Sequence, residues 1–274
     1  MTDMPTGSTD LSPTTSGLDV ELDAASAMTA PTTRVELAWT QGDGSLQDRL
    51  TLADWRRRVA TLYGEVRAMA ASDPVVALAH WRTVREWLFR EHPQSPLPPA
   101  ERAEFRARHF DHDRALRFLV PVEPAPAADP GALSMELPNS GTETLAFRRI
   151  GSVRLPFPTG EQRLSVFWMT GYAGGLFIPF RDATNGNETY GAGRYLVDAA
   201  KSHDLGVDEA TGELILDFNF ATQPSCAFDP RWACPLAPPE NRLDFAIRAG
   251  ERLPLETVPA PEPALPPPGS NELP

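Results

Sequence analysis

A chain of 274 residues that is 41% apolar is long enough to bury a core, yet its 29 prolines exceed what one ordinary domain uses. The formal net charge of -12 is carried mostly by the ends: between Arg49 and Arg252, 26 acids face 24 bases with no clustered basic stripe, which excludes the electrostatic footprint of a nucleic-acid binder. No run of about 18 apolar residues exists, so no spanning helix and no membrane association are expected.

Residues 1–43 are rich in Thr, Ser, Ala and Pro with scattered acids, and predict a disordered acidic tail. The opening MTDMPTGSTDLSPTTSG has neither a basic start nor an apolar stretch, so a cytoplasmic protein is expected. Thr51 and Asp54 resemble a capping box, and Leu52, Trp55, Val59, Leu62, Val66 and Met69 recur at helical spacing. Asp73-Pro74 starts a second helix with Ala77, Trp81, Val84 and Leu88 on one face, and it stops near Glu91 because His92 precedes a proline. Residues 51–91 therefore predict an antiparallel helical hairpin. Gln94 to Pro99 predicts a rigid connector across the surface, followed by a short helix over 100–108.

From Leu116 the pattern changes to short β-branched and aromatic segments between Gly, Pro and Asn. Strands are predicted at 117–122, 144–150, 152–157, 163–169, 176–180, 195–198, 213–218 and 243–248. With no β-helix-β alternation, this spacing predicts a mainly β domain, a sandwich or partly open barrel over 116–252, carrying the N-terminal helical hairpin as one folded unit from 44 to 252. Residues 253–274, which contain VPAPEPALPPPGS, predict a disordered Pro-rich tail.

The frame R-D-x-T-x-G-x-x-T-Y-G-x-G-R-Y-L, running from Arg181 to Leu196, resembles the signature of the bacterial and archaeal family known as domain of unknown function 1684. Leu216-Asp217-Phe218-Asn219, Cys226-Ala227-Phe228, Cys234 to Asn241 and Ala249-Gly250-Glu251 fit the same pattern, as does the upstream Ser95-Pro96-Leu97. Ala237 stands where the family pattern has Pro, and Gln223-Pro224-Ser225 where it has Asn-Pro-Tyr, so this loop departs from the pattern. The resemblance spans roughly Trp55 to Glu251 and implies no established activity or cofactor.

Chemistry must then be read from the residues. Arg181 and Arg194 flank a Gly-rich loop, and Arg suits bidentate recognition of carboxylate or phosphate. Together with Asp182, Thr184, Thr189, Tyr190, Asn219 and Asn241, they form the expected site for a small anionic ligand. The alternative is structural: Arg181 pairs with Asp182 or Asp217, and Asn185-Gly186 makes a hairpin turn. Asp217 and Glu240 are the candidate acid/base groups and Cys226 the candidate nucleophile; for each, the reading as a bonded or buried structural group is preferred. Cys226 and Cys234, eight apart, fit reactive thiols, a disulfide or proximal pair, or small buried hydrophobes. His109 and His112 lack a helix and a fourth ligand, so no metal site is read, and no cofactor or oligomeric state is identified. The competing function is a structural or protein-interaction module without catalysis.

Overall fold

A computed structural model describes residues 44–126, the backbone of 135–136, 145–171 and 174–254. The expected tails, apart from Leu253 and Pro254, lie outside the described residues.

Helix α1 spans Leu46–Ala70 and α2 spans Pro74–Glu91. The second helix starts and stops where the sequence predicts. The Asp73 carboxylate accepts from the Val75 and Val76 amides, and His92 is already extended ahead of Pro93. The first starts earlier than Thr51. Ser45 is its cap, accepting from the Asp48 amide at 3.1 Å, while the Thr51 hydroxyl donates back to the Asp48 carbonyl inside the helix. Leu62, Tyr63 and Val66 of α1 meet Ala77, Leu78 and Trp81 of α2, and the same apolar cluster takes in Leu205 and Phe220 from the β half. The hairpin therefore shares its core with the sheet domain.

Two further expectations in this region are corrected. Residues 94–97 are buried rather than laid on the surface, because the Trp232 indole donates to the Pro96 carbonyl at 3.0 Å and the Ser95 hydroxyl bonds the end of α2. The short helix over 100–108 shrinks to one 3-10 turn, Pro99–Glu101, since Arg108–His109 (β1) is drawn into antiparallel pairing with Glu251–Arg252 near the far end of the described chain.

The main sheet is antiparallel and open. Its strands are β3 (Glu123–Pro124), β4 (Met135–Glu136), β5 (Ala146–Phe157), β6 (Gly160–Met169), β7 (Gly175–Phe180) and β8 (Arg194–Asp198), in the order β3-β5-β6-β7-β8 with β4 also pairing β5. β2 (Arg117–Val120) and β9 (Leu214–Asp217) form a separate antiparallel ribbon, and Glu251–Arg252 is β10. The two strands expected at 144–150 and 152–157 are one strand with a bulge between Arg149 and Gly151. Gly151 is required there because a Cβ would strike the Glu123 carbonyl and the Val122 side chain. A second bulge falls at Ile178/Pro179, where proline has no N–H to give the ladder.

One face of the sheet, with Val153, Leu155, Val166, Ile178 and Phe180, packs against Phe118, Leu216 and Phe218. Leu243 and Ile247 complete this core, although the strand expected at 243–248 is absent. Those residues bury alternate side chains as a strand does, but the main chain makes only one parallel bridge, through Arg181 and Arg242. A further cluster of Phe89, Leu97, Phe105, Tyr190, Cys226, Phe228 and Cys234 ties the end of the hairpin to the loops after β7 and β9. No described helix is long and apolar enough to cross a membrane.

Candidate functional site

The loop joining β7 to β8 carries most of the residues expected to bind a ligand, and its polar groups are turned on one another. Asp182 Oδ1 accepts from the Thr184 amide at 2.7 Å, and Asn185 Oδ1 accepts from the Asp182 amide at 2.7 Å. The Thr184 and Thr189 hydroxyls bond each other at 2.8 Å, and Asn185 Nδ2 donates to Thr189 Oγ1 and to the Tyr190 carbonyl, both at 2.9 Å. Gly186, at φ +82°, turns the chain so that its amide reaches the Thr189 carbonyl.

Arg194 is the largest surprise of the loop. It is 0% exposed, with Nη2 bonded to Asp182 Oδ2 at 2.8 Å and to the Ile247 carbonyl at 2.7 Å. Nη1 donates to the Ala249 and Glu251 carbonyls, and the guanidinium lies over Phe180. Arg181 points elsewhere and donates to the Gly191 carbonyl at 2.9 Å. The expectation of two guanidinium groups facing one anion is corrected by this placement: β8 is buried along its whole length, so its first residue has no outer face to offer. The expected partner of Arg181 is corrected too, since Asp182 belongs to Arg194.

The other candidates hold the fold in similar ways. Asp217 caps the 3-10 turn Phe218–Phe220 through Asn219, with Arg117 at 3.8 Å; burial raises its carboxyl above the usual range against those bonds. Asn219 exchanges two 2.8 Å hydrogen bonds with the Asp113 backbone. Asn241 bridges the Ser165 backbone of β6 to the Pro179 carbonyl of β7. Glu240 sits on the surface, paired with Arg149 at 3.2 Å. His109 is packed edge-on against Trp81, and burial pushes its pKa down to about 4.

A hollow does exist, at a different place. A cleft of about 90 Å³ opens between the helical hairpin and the segments after β8 and β9. Trp55, Tyr63 and Phe89 line it from the helices, and Tyr195, Lys201, His203 and Gln223 from the other side. Its volume holds a handful of waters or a ligand fragment of similar size. The Lys201 ammonium lies 3.3 Å from Asp198, in a side chain that is 38% exposed. Burial opposes its charge, but Asp198 and the nearby Cys234 sulfur outweigh that cost and raise its pKa.

Gln223 sits deeper, at 3% exposed. Its Oε1 accepts from the Tyr190 amide at 3.2 Å and its backbone amide donates to Glu251 Oε2 at 2.7 Å, yet its Nε2 is buried without a hydrogen-bond partner. Glu251 is also clamped by Arg85 across the hairpin boundary. His203 stacks on Tyr63 and bonds Thr222 through Nδ1; burial, with Arg85 and Lys201 adding repulsion, drives its pKa down to about 3 and keeps the ring neutral. An unpaired amide donor and a positive head group lining the same cleft form an arrangement suited to an acceptor-rich, anionic group.

The sequence reading missed Lys201, although a signal was present. The chain has 24 arginines and this single lysine, and the one compact, proton-exchanging ammonium stands in the cleft. Arg85 and Gln223 carried no comparable signal, since their roles arise only when the hairpin docks.

Comparison with known proteins was informative at the level of family. The family model described as "Protein of unknown function (DUF1684)" matches residues 104–252. An uncharacterised protein of Haloarcula marismortui, solved by solution NMR, is similar in structure with a TM-score of 0.50 and 32% sequence identity, covering 69% of this chain and 98% of that one. A search of curated proteins found no match.

Proposed function

The chain belongs to the DUF1684 family of proteins of unknown function, and within that frame we propose that it is a small-molecule-binding domain whose site is the cleft between hairpin and sheet. The observation that carries this reading is the Gln223 amide. A donor that is 3% exposed and unpaired costs about 1–3 kcal/mol in the folded protein, a penalty that an acceptor on a ligand would remove. Lys201 supplies the charge that favours an anionic acceptor, and the volume restricts the buried part to a small carboxylate or phosphate group. A cytoplasmic setting belongs to the same proposal, because two adjacent thiols stay reduced there.

The experiment is a thermal-shift screen of the full chain against small carboxylates and phosphorylated metabolites. A ligand at a hundred times its Kd adds about 2.7 kcal/mol, or roughly 5–10 °C in Tm for a domain of this size. Gln223→Leu and Lys201→Met should each abolish the shift. A screen with no stabilising compound, or a shift that survives both substitutions, would remove the proposal. A second reading, an interaction module without a ligand, is favoured by the inward-turned hydrogen bonding of the Arg194 loop and by Trp87, 45% exposed in an open groove between α1 and α2. It predicts a silent screen together with a partner whose binding is lost in Trp87→Ser.

A further inference from the structure

Cys226 and Cys234 lie eight positions apart, and the fold brings them into one hydrogen-bonded unit behind the cleft wall. The Cys226 amide donates to Cys234 Sγ at 3.3 Å, and the Cys226 thiol hydrogen-bonds to the same sulfur. The Tyr190 hydroxyl hydrogen-bonds to Cys226. The backbone around the pair is fixed: Tyr195 donates to the Pro235 carbonyl at 2.6 Å, next to Cys234, and Ser225–Ala227 is a 3-10 turn. The Cys226 thiol and amide, with the Lys201 ammonium adding charge, hold the Cys234 thiol below its usual range in spite of burial. Thus one sulfur is poised to carry negative charge while the other faces it.

We propose that Cys226 and Cys234 form a reversible dithiol–disulfide couple, with Cys234 as the attacking thiolate and a hydroperoxide as the oxidant. The Cys234 sulfur attacks one peroxide oxygen; the S–O bond forms, the O–O bond breaks, and the leaving hydroxide takes up a proton to become water. The Cys226 sulfur then attacks the sulfenic sulfur; the S–S bond forms, the S–O bond breaks, and the thiol proton leaves with the hydroxide as a second water. Two thiols and one hydrogen peroxide become one disulfide and two waters, the sulfurs giving up the two electrons that the peroxide oxygens gain. The two residues are 6% and 1% exposed, which suits an oxidant of two heavy atoms and disfavours a bulky disulfide such as oxidised glutathione. Lys201 and Ser225 line the cleft, so closure of the S–S bond would be felt at the cleft wall.

The test uses the full reduced chain. It is treated with hydrogen peroxide up to about a tenfold molar excess, quenched, denatured, alkylated with iodoacetamide, digested with trypsin and mapped by mass. Cleavage after Arg231 separates the two cysteines into peptides 202–231 and 232–242. The expected product is a cross-link joining those two peptides, with both alkylation sites lost together and restored by dithiothreitol. In Cys226→Ser, Cys234 should stop at a sulfenic acid that dimedone traps. In Cys234→Ser, Cys226 should react at least about tenfold more slowly, having lost the better thiolate. Full alkylation of both cysteines after peroxide, sulfinic acid on separate peptides without a cross-link, or equal rates in the two single variants would each overturn the proposal. If the variants fold poorly, the wild-type peptide map decides alone.

Discussion

Asp182→Asn tests the claim that the Arg194 loop is a brace. The substitution keeps the size of the side chain but removes the one carboxylate, among the described residues, bonded to a guanidinium that has no exposed surface. Arg194 would keep its carbonyl partners from Ile247, Ala249 and Glu251, and these dipoles alone must then hold a full buried charge. Breaking a buried pair by removing one partner costs about 3–5 kcal/mol. Against a total stability of about 5–15 kcal/mol this is a large fraction, and it corresponds to a Tm loss on the order of 10 °C. Urea unfolding followed by tryptophan fluorescence reads the difference directly. A double variant with Arg194→Met should lose less than the sum of the two single changes, because the second removes the charge that the first leaves stranded. A cost below about 1 kcal/mol for Asp182→Asn, or strict additivity in the cycle, would refute the reasoning.

Two further outcomes follow from local geometry. Gly193 sits at φ +105° and a Cβ there would lie 2.5 Å from the Phe180 carbonyl, so Gly193→Ala should cost more than about 3 kcal/mol. Gly212→Ala, at φ +72° with open space around it, should cost only about 1–2 kcal/mol; equal losses of urea midpoint in the two variants would contradict this. His203 titrates near 6.5 in the unfolded chain and about 3 when folded, so between those values the unfolded chain holds a proton that the folded one rejects. Its contribution is therefore fully present above pH 6.5 and is lost as pH falls toward 3, at up to about 1.4 kcal/mol per unit. His203→Gln should flatten the fall in urea midpoint between pH 6.5 and 4.5, and an unchanged slope would count against it.

Much of the architecture was legible because its signals are local. Asp73-Pro74 and His92-Pro93 bound α2 through a side-chain cap and a steric restriction, both decided by neighbours in sequence. The start of α1 was misread because two hydroxyls less than two turns apart, Ser45 and Thr51, both suit a cap; the helix takes Ser45, and the Thr51 hydroxyl bonds back to the Asp48 carbonyl. The segment 243–248 alternates correctly, yet period 2 reports which side chains are buried and not whether a partner strand supplies hydrogen bonds; here Asp182, Arg181 and Arg194 take up carbonyls and amides instead. The same limit applies to the site. Arg181 and Arg194 stand at the two ends of one loop, and nothing in their spacing says that one becomes the centre of the core while the other bonds a loop carbonyl. The cleft depends on docking the hairpin onto segments more than a hundred residues away, so no motif could announce it. The lone lysine was the exception, visible in composition alone.

The clamp between Arg85 and Glu251 has a practical meaning for the limits of the domain. The family match begins at residue 104, beyond both helices. A fragment cut at that point would strip the cover from Leu205 and Phe220, strand the Glu251 carboxylate without its guanidinium, and remove one whole wall of the cleft. The reach of a family match and the set of elements that share one core are different quantities, and in this chain the helices that precede the match are part of the second.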